Sequence, residues 1–128
     1  MQPYFLNVDL EIQSASNLDA LVSAMGKRVL IMYSGPGTVR RHLLALEISR
    51  CYKSADATIR AFCNIVESLP PSARKVWNKS HKEFDVGYEL RVSEKSSRFS
   101  LGAHTLGRVA RLGAFLTVTY YRGDEYDP

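Results

Sequence analysis

Two carboxylates in the stretch KEFDVGYELRV, Lys82 to Val92, set the first chemical question. Asp85 and Glu89 stand four residues apart, with Gly87 between them. A general acid and a general base are often two such carboxylates. Here Phe84, Val86, Tyr88, Leu90 and Val92 alternate with the polar residues, so the stretch is a strand with period two. Four residues of strand separate the two backbones by roughly 13 Å at about 3.3 Å per residue, which is long for acid and base on one bond. The same geometry suits a binding surface, with the gap at Gly87 as a notch for a partner's side chain. The plainer alternative is the wet side of a half-buried strand.

The other reactive residue types are dispersed. His42, His81 and His104 are far apart and none has a carboxylate or cysteine at ligand spacing. His42 is expected on the apolar side of its strand, partly buried. Cys63 falls on the inward stripe of a helix and reads as a small core residue; Cys51 has no nearby histidine to activate it. Reduced thiols and no zinc site follow. The stretch SGPGTVRRH sets glycines beside Arg40 and Arg41, as a phosphate grip does. An alternating strand follows it, where a phosphate loop needs a helix N-terminus, so a hairpin loop is the better reading. Neither of the two common phosphate-binding glycine motifs, nor the serine-hydrolase elbow, nor a zinc-protease motif occurs. No metal and no cofactor is expected.

The elements that hold these residues are readable from periodicity. Tyr4 to Ser14 alternates, with Leu6, Val8, Leu10 and Ile12 inward and Asn7, Asp9, Glu11 and Gln13 outward. A helix follows, with Ser16 as the expected N-cap, Leu18, Leu21, Val22 and Met25 as its stripe and Gly26 as its stop. RVLIMYS is a continuous apolar run, expected to be an inner strand. A strand with His42, Leu44, Leu46 and Ile48 on one side comes next, opposite Leu43, Ala45 and Glu47. Ser54 caps a longer helix with Ile59, Phe62, Cys63, Val66 and Leu69 inward, ended by Pro70-Pro71. A short helix carries Trp77, then the Lys82–Val92 strand, a turn, a short return strand in RFSLG, a last helix through Leu106 and Val109 ending at Gly113, and a closing strand AFLTVTYYR. The order β-α-β-β-α-(short α)-β-β-α-β predicts an α+β fold: one two-layer domain over residues 1–121, a mainly antiparallel sheet and helices on one face, with 122–128 as a frayed tail.

Composition agrees with one soluble domain. The chain has 128 residues, 45% hydrophobic and 23% charged, enough for a core without staples. No apolar run approaches the roughly 18 residues of a membrane span, and no signal peptide is apparent, so a cytoplasmic location is expected. The net charge is +4, and residues 70–111 hold nine Lys/Arg against four Asp/Glu. That segment makes a second set of candidates: Arg74, Lys75, Lys79, Lys82, Arg108 and Arg111 would attract nucleic acid phosphates, or be a solvated surface. Trp77, His81 and Lys82 place cations beside an indole, which suits ligand binding or packing.

The segments WNKSHKEFDVGY and TLGRVARLGAFLTVTYY, preceded by the strand FLNVDLEI, resemble a family of small bacterial proteins of unknown function with an F-D-x-G-Y strand and a helix running into a final strand. The resemblance implies a small cytosolic α+β domain, an immunity-protein-like role in blocking a toxin domain, and no catalytic residue. The leading expectation is therefore a non-enzymatic protein-binding domain, with Asp85, Glu89, Arg91, Trp77, His81 and Lys82 as candidate contacts. Nucleic acid binding through the basic segment ranks second. A small-molecule enzyme using His42, Arg40 and Arg41 ranks third. An open sheet face or a long edge strand also suits a homodimer.

Overall fold

A computed structural model of the chain describes residues 4–90 and 98–122. In chain order it has β1 (Tyr4–Ser14), α1 (Asp19–Met25), a 3-10 turn (Gly26–Arg28), β2 (Val29–Pro36), β3 (His42–Ile48), α2 (Ala55–Glu67), α3 (Pro71–Lys79), β4 (His81–Leu90), α4 (Ala103–Arg111) and β5 (Phe115–Arg122). The five strands form one sheet in the order β2-β3-β1-β4-β5. Every neighbouring pair is antiparallel except β4 and β5, which run parallel. The fold is the expected α+β domain of two layers.

The core forms where the inward strand residues meet the helical stripes. Val8, Leu10 and Ile12 of β1, Leu44 and Leu46 of β3, and Phe84 and Val86 of β4 are all fully buried. Against them lie Ile59, Phe62, Cys63 and Val66 of α2, with the Phe62 and Phe84 rings 5.6 Å apart. Burial of these apolar surfaces is the main stabilising term.

Local signals explain most boundaries. Ser54 caps α2 by accepting a hydrogen bond from the Ala57 N–H at 3.1 Å. Ser54→Ala should cost about 1 kcal/mol, read as a lower urea midpoint at unchanged slope. Pro71 begins α3 at a position where its missing N–H is harmless. Gly26 ends α1 at a φ of 59° that disfavours side chains. Arg28 then reaches back to the last carbonyls of α1, from Nε to Met25 O at 3.1 Å and from Nη2 to Ala24 O at 3.0 Å.

Three expectations need correction. Ser16 does not cap α1: the helix begins at Asp19, and the Asn17 side chain accepts the Asp19 N–H at 2.7 Å. Arg98 to Gly102, the whole of the expected return strand, is not in a strand. The chain passes from β4 to β5 through α4, and such a crossover lets neighbouring strands run parallel. Finally, the apolar run of β2 is not an inner strand but an edge of the sheet. Arg91 and most of the expected 122–128 tail lie outside the described residues; Arg122 itself ends β5.

Candidate functional site

The helices leave one face of the sheet open, and pairing decides what that face carries. Alternation sends Asp9 and Glu11 of β1, Glu47 of β3, and Glu83, Asp85 and Glu89 of β4 to the side opposite the core. The register then lines them up. Asp9 faces Glu47 on one side and Asp85 on the other, and Glu11 faces Glu83. Directly opposed residues hold their Cβ atoms about 4.5–5.5 Å apart, where like charges destabilise a sheet. Among the described strand residues on this face there is no Lys or Arg. A chain of net charge +4 therefore carries an acidic sheet face.

Asp9 sits at the centre. Its carboxyl is pushed up to about 6, first by burial and then by Glu47, Asp85 and Glu11. Its Oδ1 is buried and receives no hydrogen bond. The neighbouring group is the Glu47 carboxylate, also an acceptor, so the two can pair only by sharing a proton. Glu11 is raised as well, by burial and then by Glu83 and Asp85. Asp85 accepts a compensating hydrogen bond from the Thr119 hydroxyl at 2.7 Å.

Apolar residues flank the carboxylates. On the β2 side, Leu30 opposes Glu47 and Tyr33 opposes Ala45; both are largely exposed. On the β5 side, Phe115 opposes Glu83 and Tyr121 opposes Glu89, and both are exposed too. The His81 ring packs on Phe115 with centroids 4.9 Å apart. Gly87 lies between Asn7 and Thr119 in this sheet. The face is thus an anionic centre with an apolar border on either side.

The structure sorts the sequence candidates. Asp85, Glu89 and His81 share the open face. Trp77 and Lys82 do not: both are buried, on the opposite side of β4. Trp77 Nε1 donates to Leu112 O at 2.9 Å. Lys82 Nζ donates to Trp77 O at 3.0 Å and Ser80 O at 3.1 Å and lies 5.4 Å from the centre of the indole. Burial, and secondarily Arg74, hold the Lys82 ammonium below its ordinary pKa. These two residues tie the end of α3 to β4 and to the end of α4, a packing role. Asp9, Glu11, Glu47 and Glu83 join the site. Their outward parity was available in the sequence, whereas their adjacency needed the strand order.

The basic set is dispersed over the helix layer. Arg74, Lys75 and Lys79 follow one another on α3, and Arg111 is exposed on α4. Arg108 is engaged by Glu67 Oε1 at 2.7 Å and by Asn64 Oδ1 at 2.6 Å. Lys82, in the interior, leaves the set. His42 is exposed at the first position of β3, not partly buried. The loop before it is a hairpin turn, closed by the Gly37 N–H donating to Arg41 O at 2.7 Å. Cys63 is buried, and its thiol is pushed up to about 11 by that burial, which leaves it a poor nucleophile. Among the described residues no group of three or more His, Cys, Asp or Glu is placed to hold a metal ion, and no helix is long and apolar enough to cross a membrane.

No family model, no curated protein and no solved structure matches this chain.

Proposed function

We propose that the chain is a non-enzymatic protein-binding domain whose open sheet face receives a cationic patch of a partner, as an immunity protein would cover the basic substrate-binding surface of a toxin domain. The observation that supports this reading most is the set of opposed carboxylates, Glu47–Asp9–Asp85 and Glu11–Glu83. Like charges so placed cost folding free energy, and a partner's Lys and Arg would relieve that cost on binding. Complementary charge also speeds encounter and rejects wrong partners. The apolar flanks, Leu30 and Tyr33 on one side and Phe115 and Tyr121 on the other, supply the contact area that charge alone does not.

The test is a tagged pull-down from lysate of the source organism, with and without nuclease, using the wild-type chain and Glu11→Lys/Glu83→Lys. The expected result is one stoichiometric basic protein that survives nuclease and binds the variant at least about tenfold more weakly. Circular dichroism establishes that the variant is folded, and Glu11→Gln/Glu83→Gln gives an intermediate loss. Equal capture by all three chains would remove the face from consideration. Material lost on nuclease treatment would instead favour nucleic acid binding through Arg74, Lys75 and Lys79.

A further inference from the structure

The second surface is the free edge of β2. Leu30, Ile31, Met32 and Tyr33 are consecutive, large and apolar, yet 51%, 51%, 58% and 44% exposed. They lie on an edge strand, whose outer backbone N–H and C=O groups pair with no further strand among the described residues. Folded proteins usually blunt such an edge with charge, proline or a covering loop. Here the strand itself carries no charged residue, and proline comes only at its end. The one irregularity is a register shift between Ile31 and Tyr33.

Charge identifies the occupant. From Gly26 to Leu46 the chain has Lys27, Arg28, Arg40 and Arg41 and no Asp or Glu. Lys27 and Arg28 precede the strand, and Arg40 and Arg41 follow it in the hairpin turn; all four are exposed. An antiparallel pairing of two β2 edges would bring Lys27 and Arg28 of each chain towards Arg40 and Arg41 of the other. That repulsion opposes a homodimer at this edge. An incoming strand with carboxylates beyond both ends would gain where the second copy loses.

We infer that the β2 edge is a strand-addition site for an extended segment of a partner protein, apolar at alternate positions and acidic beyond both ends. Main-chain hydrogen bonds would supply much of the affinity and the exposed apolar side chains the contact area. This site has the opposite charge preference from the open face; Leu30 and Tyr33 border both, while Ile31, Met32 and the outer main-chain groups of β2 belong to the edge alone.

The test uses three fluorescein-labelled peptides with a common alternating Val-Thr core: one flanked by Glu pairs, one flanked by Lys pairs, and a Glu-flanked form N-methylated at alternate residues. Anisotropy should show the Glu-flanked peptide binding at least about tenfold tighter than the Lys-flanked one at low salt. N-methylation should abolish binding, because it removes the donors that pair with the edge. Hydrogen exchange should slow in the β2 amides when the Glu-flanked peptide is bound. Arg40→Glu/Arg41→Glu, both in an exposed turn, should shift the preference towards the Lys-flanked peptide. Equal binding of both flanks, binding that survives N-methylation, or no binding by any peptide would overturn the assignment. So would a wild-type dimer in sedimentation equilibrium lost on Ile31→Lys, which would give the edge to a second copy.

Discussion

Trp77→Ala should cost about 3–5 kcal/mol, a large share of the stability of a domain this size. Trp77 is fully buried, and its removal does three things at once. It opens a cavity where α3, α4 and β4 meet. It leaves Leu112 O without the indole N–H that reaches it at 2.9 Å. It takes away the ring above which the buried Lys82 ammonium sits. Trp77→Phe separates these contributions, since it keeps much of the volume and loses the donor; it should cost about 1–3 kcal/mol. Because this is the only tryptophan in the chain, unfolding has to be followed by far-ultraviolet circular dichroism in urea. The folded Trp77→Phe chain should still capture the partner of the open face, because the indole lies on the other side of the sheet. A loss below 1 kcal/mol in Trp77→Ala, or loss of partner binding in folded Trp77→Phe, would return Trp77 to the list of contact residues.

Trp77 and Lys82 also show what the sequence offered. Lys82 has the parity of Phe84, Val86 and Tyr88, so period two already sent it inward. The general rarity of buried lysines argued for placing it with the basic surface instead. Its two backbone acceptors at the end of α3 make the burial tolerable, and those are visible only once the chain is folded. The β2 run was misplaced for a related reason. Apolar residues on both faces are the mark of an inner strand, but an edge strand waiting for a partner has the same composition. The open face was half legible. Parity put Asp9 and Glu11 outward on the first strand, and Glu47 and Asp85 outward on two others, and the same parity would have added Glu83. Nothing local says that β1 lies between β3 and β4, and that pairing is what turns separate outward carboxylates into one strongly coupled surface.

Asp9→Asn should stabilise the fold at pH 7.5 and flatten its pH dependence. The Asp9 carboxyl titrates near 6 in the folded chain, against an ordinary value of 3.8. Between these values the folded chain holds a proton that the unfolded chain has released. Stability therefore rises as the pH falls from about 7 towards 4 and levels off below the unfolded value, the opposite of a salt-bridged carboxylate. A shift of this size corresponds at most to about 3 kcal/mol. Asp9 is only partly buried, so solvent screening reduces the expected gain in Asp9→Asn to about 1–2 kcal/mol, read from urea midpoints at pH 7.5 and pH 5. Glu11, raised in the same direction, will add to the wild-type slope. Partner binding should run the other way: a cationic patch prefers the ionised face, so affinity should fall as the pH drops through 6 while the free chain becomes more stable. Isothermal titration and urea denaturation across the same pH range should give slopes of opposite sign. Slopes of the same sign would mean that the partner does not meet the Asp9 carboxylate, and Asp9→Asn without stabilisation at pH 7.5 would mean that the face carries no stored repulsion to release.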